Sequence, residues 1–184
     1  PVQIGTATNW VRNAQGGSSG GQSFAIKSAG TLWAWGSNGL GKLGLGDIIN
    51  RSSPVQVGTG TGWIDVARGN NQSIALRSDG TIWTWGSNGS GNLGVNDTNN
   101  RSSPVQVGTA TAWAQISAGY NHFLAMSSNG TIWAWGLNNV GQLGNNTITN
   151  RSIPTQIGTS TLWLQIVGCS AHGLALRTTG TIFT

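Results

Sequence analysis

The segment that decides the fold is residues 80–94, GTIWTWGSNGSGNLG, in which two tryptophans are separated by a single residue. The same phrase occurs fifty residues earlier, at 30–44 (GTLWAWGSNGLGKLG), and fifty residues later, at 130–144 (GTIWAWGLNNVGQLG). It starts a fourth time at Gly180, where the chain reads GTIFT to its last residue. A repeat with this period is typical of propellers, solenoids and other arrays of small units.

The repeat divides the whole chain into four units, at 1–53, 54–103, 104–153 and 154–184, of which the last is incomplete. The second and third units have the same length and are identical at more than half of their positions without a gap. The first unit has three extra residues in its Gly-Ser stretch, around 16–21. We therefore expect a single repeat array over residues 1–184.

Short β-strands are predicted in every unit. SIALRS (73–78) and TIWTW (81–85) are apolar-rich runs on either side of Asp79 and Gly80, and Asn-Gly takes the same place in the next unit. Asp-Gly between two such runs favours a β-hairpin with a type I′ turn, because both central residues of that turn need positive φ. No segment has a sustained helical period. Each unit is thus predicted to form about four short strands in one antiparallel sheet.

The spacing of the tryptophans indicates how these sheets pack. Trp83 and Trp85 are two residues apart in one strand, so both side chains project from the same face. A lone sheet of this size cannot bury both faces, whereas radial stacking of several sheets buries them. We predict an all-β fold, a partial β-propeller of about three and a half four-stranded antiparallel blades. Trp83, Trp85, Trp133 and Trp135 should lie between blades; the alternative is an exposed tryptophan row that stacks bases or sugars.

The repeated residues resemble the regulator of chromosome condensation repeat family. In the third unit the family pattern is carried by Gly119, His122, Ala125, Asn129, Gly130, Trp133, Trp135, Gly136, Asn138, Gly141, Gln142, Leu143 and Gly144, with Pro154 following. Gln22 and Gln72 depart from the histidine of this pattern, and Cys169 stands where a glycine is expected. The resemblance implies a propeller, usually of seven blades. It also implies functions as diverse as nucleotide exchange on a small GTPase, chromatin binding and β-lactamase inhibition.

The composition excludes several classes of protein. Only 7% of the residues are charged, which could indicate disorder. The chain has ten tryptophans in regular positions, however, and disordered segments contain few aromatic residues. No apolar run approaches the ~20 residues of a spanning helix, so we expect no membrane insertion. The net charge is +5, but the cations are scattered singly along the chain. Because isolated cations bind phosphates weakly, we do not expect a nucleic-acid partner.

Residues for catalysis or metal binding are scarce. The chain has no glutamate, and its four aspartates are dispersed along the chain. The single cysteine, Cys169, excludes an intrachain disulfide and a multi-cysteine metal site. His122 and His172 occupy equivalent positions, where they could share a metal or relay protons, or could each bond backbone within its own blade. We favour the structural role, because glutamines occupy the same place in the first two units. We predict no enzymatic activity, no metal and no cofactor.

The loops that differ between units are the candidate binding surface, since propellers display loops from several blades on one rim. Arg51, Arg101 and Arg151 recur at fifty-residue intervals and could form a cationic arc, or could each brace a loop. Tyr120 and the insert at 16–21 are further candidates, because tyrosine and arginine often anchor interfaces. The candidate partner-binding residues are Ser87, Asn88, Ser90, Leu137, Asn138, Asn139, Tyr120, Arg51, Arg101 and Arg151.

From these residues we expect a non-enzymatic binding module that recognises a macromolecular partner, a protein, through blade-edge loops. The small number of repeats predicts a fragment, or a chain completed by self-association or by a longer parent chain. Two alternatives stay open: a secreted or virion structural repeat protein, and a protein inhibitor or regulator resembling other family members. The low-charge, Asn- and Thr-rich composition suggests a bacterial or phage-like member with an extracellular, cell-surface or virion location.

Overall fold

The predicted hairpins are present in the computed structural model, which describes residue 3 and residues 5–14 and 20–184. Their turn type differs from the prediction. The N–H of Gly80 donates to the carbonyl oxygen of Arg77 at 3.0 Å, and Gly80 has a φ of 76° whereas Asp79 has no positive φ. This is a three-residue loop with glycine in the left-handed position, not a type I′ turn. The Asp79 carboxylate fixes the loop by accepting the backbone N–H of Thr81 at 3.0 Å.

Fifteen strands in the described residues form four antiparallel sheets, in which strands adjacent in sequence are adjacent in space. We call these sheets blades 1 to 4. Blade 1 contains β1 (Trp10–Asn13), β2 (Gln22–Lys27), β3 (Leu32–Gly36) and β4 (Arg51–Gln56). Blade 2 contains β5 (Trp63–Arg68), β6 (Gln72–Arg77), β7 (Ile82–Gly86) and β8 (Arg101–Gln106). Blade 3 contains β9 (Trp113–Ala118), β10 (His122–Ser127), β11 (Ile132–Gly136) and β12 (Arg151–Ile157). Blade 4 contains β13 (Trp163–Gly168), β14 (Gly173–Arg177) and β15 (Ile182–Phe183).

The blades are out of phase with the sequence units. The units that start at residues 54 and 104 begin inside β4 and β8, and these strands pair with β3 and β7 of the preceding blade. Each of these units therefore supplies three strands to its own blade and about half of the outer strand of the blade before it. The expectation that one unit equals one sheet is corrected accordingly, because the proline-containing run pairs backwards along the chain.

Successive blades pack through two faces of different composition. The tryptophan face of blade 2 covers the aliphatic face of blade 1, and the ring of Trp85 lies 5.7 Å from that of Phe24. The tryptophan face of blade 3 covers blade 2 in the same way. Trp85 and Trp135 are fully buried, as predicted, whereas Trp83 and Trp133 are only half-buried. The alternative of an exposed tryptophan row is thereby excluded for the fully buried pair.

Within the described residues, the two end blades each have one face that no other blade covers. On blade 1 the side chain of Trp35 is only half-buried and lines an open cavity beside Trp10. On blade 4, Ile182 is 68% exposed and Val167 is 42% exposed. The three blades that follow the first thus have covered tryptophans, while the first keeps its tryptophan face open. Among the described residues, no helix is long and apolar enough to cross a membrane.

Candidate functional site

Three long loops connect the third and fourth strands of blades 1 to 3. We name them loop 1 (37–50), loop 2 (87–100) and loop 3 (137–150). A buried asparagine organises each loop, and Asn88 shows the pattern. Its N–H donates to Asn100 Oδ1 at 2.8 Å, its Nδ2 donates to the carbonyl oxygen of Asp97 at 2.9 Å, and its Oδ1 accepts the N–H of Leu93 at 2.9 Å. Asn38 and Asn138 make equivalent bonds in their loops.

This geometry corrects two of the predicted partner-binding residues. Asn88 and Asn138 are 0% exposed, so their side chains cannot touch a partner. Their amides hold the loop backbone in place instead. An amide has enough donors and acceptors to bond two strands of a loop at once, which explains why the residue recurs while its neighbours vary.

Arginines brace the first two loops. Arg101 Nη2 lies 2.5 Å from Asp97 Oδ2, and its Nη1 donates to the carbonyl oxygen of Asn99 at 2.9 Å. Arg51 and Asp47 form the same pair, also at 2.5 Å. The N–H of Asn99 and the Arg101 guanidinium hold the pKa of the Asp97 carboxyl below its usual value. Of the two roles considered for these arginines, the structure shows loop bracing for Arg51 and Arg101.

Loop 3 has lost this brace. Thr147 stands where the other loops have aspartate, and Asn138 Nδ2 donates to the carbonyl oxygen of Thr147 at 2.9 Å and to Asn145 Oδ1 at 3.1 Å. Within the described part of the chain, the half-buried side chain of Arg151 has no hydrogen bond or ion pair, and its Nε is buried without a partner. Arg151 is thus the member of the predicted arginine series whose guanidinium is free to bind another group.

The loops also differ in exposed apolar residues. Ile48 and Ile49 are 68% and 64% exposed in loop 1, and Val140 and Ile148 are 65% and 71% exposed in loop 3. Loop 2 has polar residues at the matching positions. The individually predicted residues do not include these isoleucines or Val140, although all of them lie in the variable loops predicted as the binding surface. The signal was present in the sequence, because apolar residues stand where a sister loop has threonine, serine or asparagine.

The remaining predicted residues lie on the same rim. Tyr120 is 39% exposed in the turn between β9 and β10. The carbonyl oxygen of the adjacent Asn121 accepts Asn92 Nδ2 of loop 2 at 2.6 Å and the N–H of Leu137 of loop 3 at 2.9 Å. The structure therefore brings Tyr120 between loops 2 and 3. Of the other candidates, Ser87, Ser90 and Leu137 are half-buried, and Asn139 is exposed.

The described part of the insert lies at the same rim, at its first-blade end. Residues 16–19 fall outside the described residues, whereas Gly20 and Gly21 are described. The carbonyl oxygen of Gly20 accepts the Lys42 ammonium at 2.5 Å, and that of Gly21 accepts the N–H of Ser37 at 2.9 Å. Burial lowers the pKa of Lys42. The lysine of the glycine-rich loop thus fastens loop 1 to the neighbouring turn.

Gln22 and Gln72 join neighbouring blades, whereas the ring nitrogens of His122, at the equivalent position, have no hydrogen-bond partner in the described residues. Gln22 Nε2 donates to the carbonyl oxygen of Gly69 at 2.9 Å, and Gln72 Nε2 donates to that of Tyr120 at 2.7 Å. His122 is fully buried, and burial together with the charge of His172 lowers its pKa to about 4. His172 is exposed at the end of the array. His122 is therefore neutral at neutral pH.

The acidic residues are placed away from these histidines. Each aspartate lies within 4.0 Å of an arginine; the pairs are Arg12–Asp65, Arg51–Asp47, Arg77–Asp79 and Arg101–Asp97. In the described ranges, no three His, Cys or Asp side chains are grouped so that they could hold a metal ion. The rim is thus a surface of loops, exposed apolar side chains and one free arginine.

Sequence models of the regulator of chromosome condensation (RCC1) repeat match residues 29–76, 79–126 and 129–176, and a second model of this repeat matches 63–92 and 113–142. Because the matches cover more than half of the residues, the chain belongs to the regulator of chromosome condensation repeat family. No curated protein sequence matches it significantly.

Solved structures share its fold. The chain aligns with human WBSCR16 at a TM-score of 0.79, with 23% identity over 89% of its length. It aligns with yeast RCC1 (Prp20) in complex with Kap60 at 0.81, with 21% identity over 96% of its length. A second structure of Prp20p from Saccharomyces cerevisiae gives 0.79, with 19% identity over 92%. The chain spans 44% of each of these chains. At these identities the likeness shows the propeller fold.

Proposed function

We propose that the chain is a non-enzymatic binding module that recognises a protein partner through the rim formed by loops 1 to 3. The observation that carries this proposal is the contrast within the loops. Buried asparagines fix the backbone of all three, while the exposed residues change from Ile48 and Ile49 to polar residues and then to Val140 and Ile148. A rigid frame with variable exposed side chains is suited to a specific surface, because little ordering is needed on binding.

Loop 3 with Tyr120 is the proposed centre of this surface. Arg151 has an uncompensated guanidinium, Ile148 supplies exposed apolar area, and Tyr120 lies next to the loop. Tyrosine and arginine beside an apolar anchor make the usual composition of a binding hot spot. A protein partner is consistent with yeast RCC1, which has been solved bound to Kap60 and whose binding to Gsp1p and histones is described.

Affinity capture with the full chain tests the proposal. Ile148→Asp places a charge on the rim, and Thr59→Asp places the same charge on an exposed residue of the opposite rim. We expect a protein captured by the unaltered chain to be retained by Thr59→Asp and lost by Ile148→Asp, with far-UV circular dichroism unchanged in both. Equal capture by both variants would show that the rim is not the binding surface.

The end blades favour a second role, in assembly. The tryptophan face of blade 1 and the aliphatic face of blade 4 are uncovered, and such faces form the interfaces inside the chain. The segment PVQIG at 1–5 also repeats PVQVG at 54–58, which contains the end of an outer strand. Blade 4 has no outer strand among the described residues. We propose that a second copy, or further residues of a longer parent chain, complete the propeller at these ends.

Solution mass distinguishes the two sources. If a second copy covers the ends, the mass of the 184-residue chain rises with concentration, and Ile182→Lys abolishes the rise because Ile182 is exposed on the uncovered face. Ile148→Lys, on the rim, serves as the matched control and should leave the rise intact. A chain that stays monomeric at every concentration would eliminate the second copy.

A further inference from the structure

Each blade has a pair of aromatic rings at the rim opposite to loops 1 to 3. Trp113 and Trp133 form the pair of blade 3, with ring centroids 5.8 Å apart and planes at 86°. The corresponding pairs in blades 1, 2 and 4 have centroids 6.1, 6.2 and 5.3 Å apart and are also edge-to-face. The geometry of the pair is therefore the same in all four blades.

A cation covers this pair in three of the four blades. Lys27 Nζ lies 4.0 Å from the ring centroid of Trp33 in blade 1. Arg77 Cζ lies 5.6 Å from that of Trp63 in blade 2, and Arg177 Cζ lies 4.8 Å from that of Trp163 in blade 4. The three cations occupy one register position, the residue paired with the first tryptophan of the blade.

Blade 3 has Ser127 at this position, paired with Trp113. A serine side chain is too short to reach over the rings, and a cavity of about 340 Å³ opens there, lined by Trp113, Trp133, Ser127, Ala110 and Pro154 among others. None of the lining residues is charged. The rings thus present the same electron-rich surface as in the other blades without the cation that covers it elsewhere.

We propose that this cavity, which we call the blade 3 cage, binds the guanidinium or ammonium group of an arginine or lysine side chain from another protein or peptide. A cation within about 6 Å of a tryptophan centroid is attracted by the ring quadrupole, and the attraction is stronger in a partly desolvated site. The other three blades show that the edge-to-face pair accepts both kinds of cation. In blades 1 and 4 the cation lies there without an aspartate at the position of Asp79, so no carboxylate is required.

The proposal does not rest on the function of the loop rim, because the cage lies at the other rim. Its cation would come from a residue of a partner that contacts the turns around residues 108–112 and 127–131. A single cation gives weak binding by itself, so the cage would fix orientation and add to a larger interface.

Titration with Nα-acetyl-arginine amide, followed by the indole N–H signals in two-dimensional NMR, tests the cage. We expect saturable shifts at Trp113 and Trp133 and none at Trp63 and Trp83, which Arg77 already covers. The neutral isostere Nα-acetyl-citrulline amide should bind about tenfold more weakly, the order expected for loss of a cation–π contact. Equal responses to the two amides would overturn the proposal.

Two variants in the same titration test whether the ring pair itself recognises the cation. Ser127→Arg should fill the cage and abolish the response, and it should fold because arginine occupies this register position in blades 2 and 4. Arg77→Ser should create a second cage, so that the indole signals of Trp63 and Trp83 begin to respond. A response that survives Ser127→Arg, or no new response in Arg77→Ser, would show that the rings do not recognise the cation.

Discussion

Trp35 and Trp85 occupy the same register position in blades 1 and 2, yet their surroundings differ. Trp85 is fully buried, its ring lies 5.7 Å from that of Phe24 in the preceding blade, and its Nε1 donates to the carbonyl oxygen of Lys42 at 2.9 Å. Trp35 is only half-buried, and the ring that it contacts is that of Trp10 in its own blade, with the ring centroids 6.5 Å apart. The repeated tryptophan therefore marks a face that can form an interface, while burial depends on whether a blade precedes it.

The largest expected effect separates these two tryptophans. Trp85→Ala should destabilise the chain by about 3–5 kcal/mol, because it removes a large side chain from a closed interface. Trp35→Ala should cost about 1–2 kcal/mol, since part of that side chain is already in water. Denaturant unfolding followed by circular dichroism measures both values. Equal losses would mean that the face of blade 1 is covered in solution.

The equivalent positions 72 and 122 differ in titration. Gln72 does not titrate, whereas burial lowers the pKa of His122 from 6.5 to about 4. The unfolded chain therefore binds a proton below pH 6.5 that the folded chain does not bind until about pH 4. Stability is lost as the pH falls through this window, by about 3 kcal/mol between pH 7 and pH 4.

His122→Gln should remove that loss while retaining a side chain that the same place accepts in blades 1 and 2. The difference in free energy of unfolding between the two proteins, measured from pH 7 to pH 4, isolates this residue from the exposed His172. A difference that does not change with pH would contradict a buried neutral imidazole.

Gly94 and Gly144 differ in the space that surrounds their α-carbons. Both have positive φ, at 71° and 67°. A Cβ at Gly94 would approach the ring of Trp135 to 2.7 Å, whereas the nearest atom to a Cβ at Gly144 is 3.9 Å away. Gly94→Ala should therefore lose about 1–3 kcal/mol more than Gly144→Ala, the usual cost of overpacking. If both cost the same in thermal unfolding, strain at positive φ rather than ring contact would explain the glycine.

The blades could be predicted from the sequence because each packing residue recurs in several repeats. The hairpins, the aromatic faces and the antiparallel order all follow from alternation and turn residues, and the family pattern in blade 3 agrees with them. The predicted boundaries of the blades were wrong, because the sequence of a run such as 54–58 does not show whether it pairs with the strand before it or with the strand after it. The turn type was wrong because Asp79 fixes the loop through its side chain and needs no positive φ.

The candidate site was less predictable, for a physical reason. A repeated asparagine looks like a surface residue, but Asn88 is buried because its amide satisfies loop backbone that no strand can pair. Arg101 and Arg151 read identically in an Asn-Arg-Ser triplet, and only the loop geometry shows which of them has a carboxylate. The extracellular or virion location stays a prediction from composition.

The smallest expected effect separates these two arginines. Arg101→Ala should lower stability by about 0.2–1 kcal/mol at low salt, because its pair with Asp97 is partly exposed, and the loss should shrink as salt screens the pair. Arg151→Ala should change stability by less than that at any salt concentration, since no ion pair involves Arg151 within the described ranges.

Thr147→Asp sharpens this comparison by restoring the aspartate that loop 3 lacks. With its carboxylate four residues before Arg151, as Asp97 is before Arg101, the variant should gain a few tenths of a kcal/mol, and Arg151→Ala should remove the gain in a double-mutant cycle. A guanidinium held by its own loop is less available to a partner. Thr147→Asp should therefore weaken affinity capture through loop 3, while Arg101→Ala leaves capture unchanged. If Thr147→Asp gains stability and capture is undiminished, the Arg151 guanidinium takes no part in recognition, and the proposed hot spot consists of Ile148 and Tyr120.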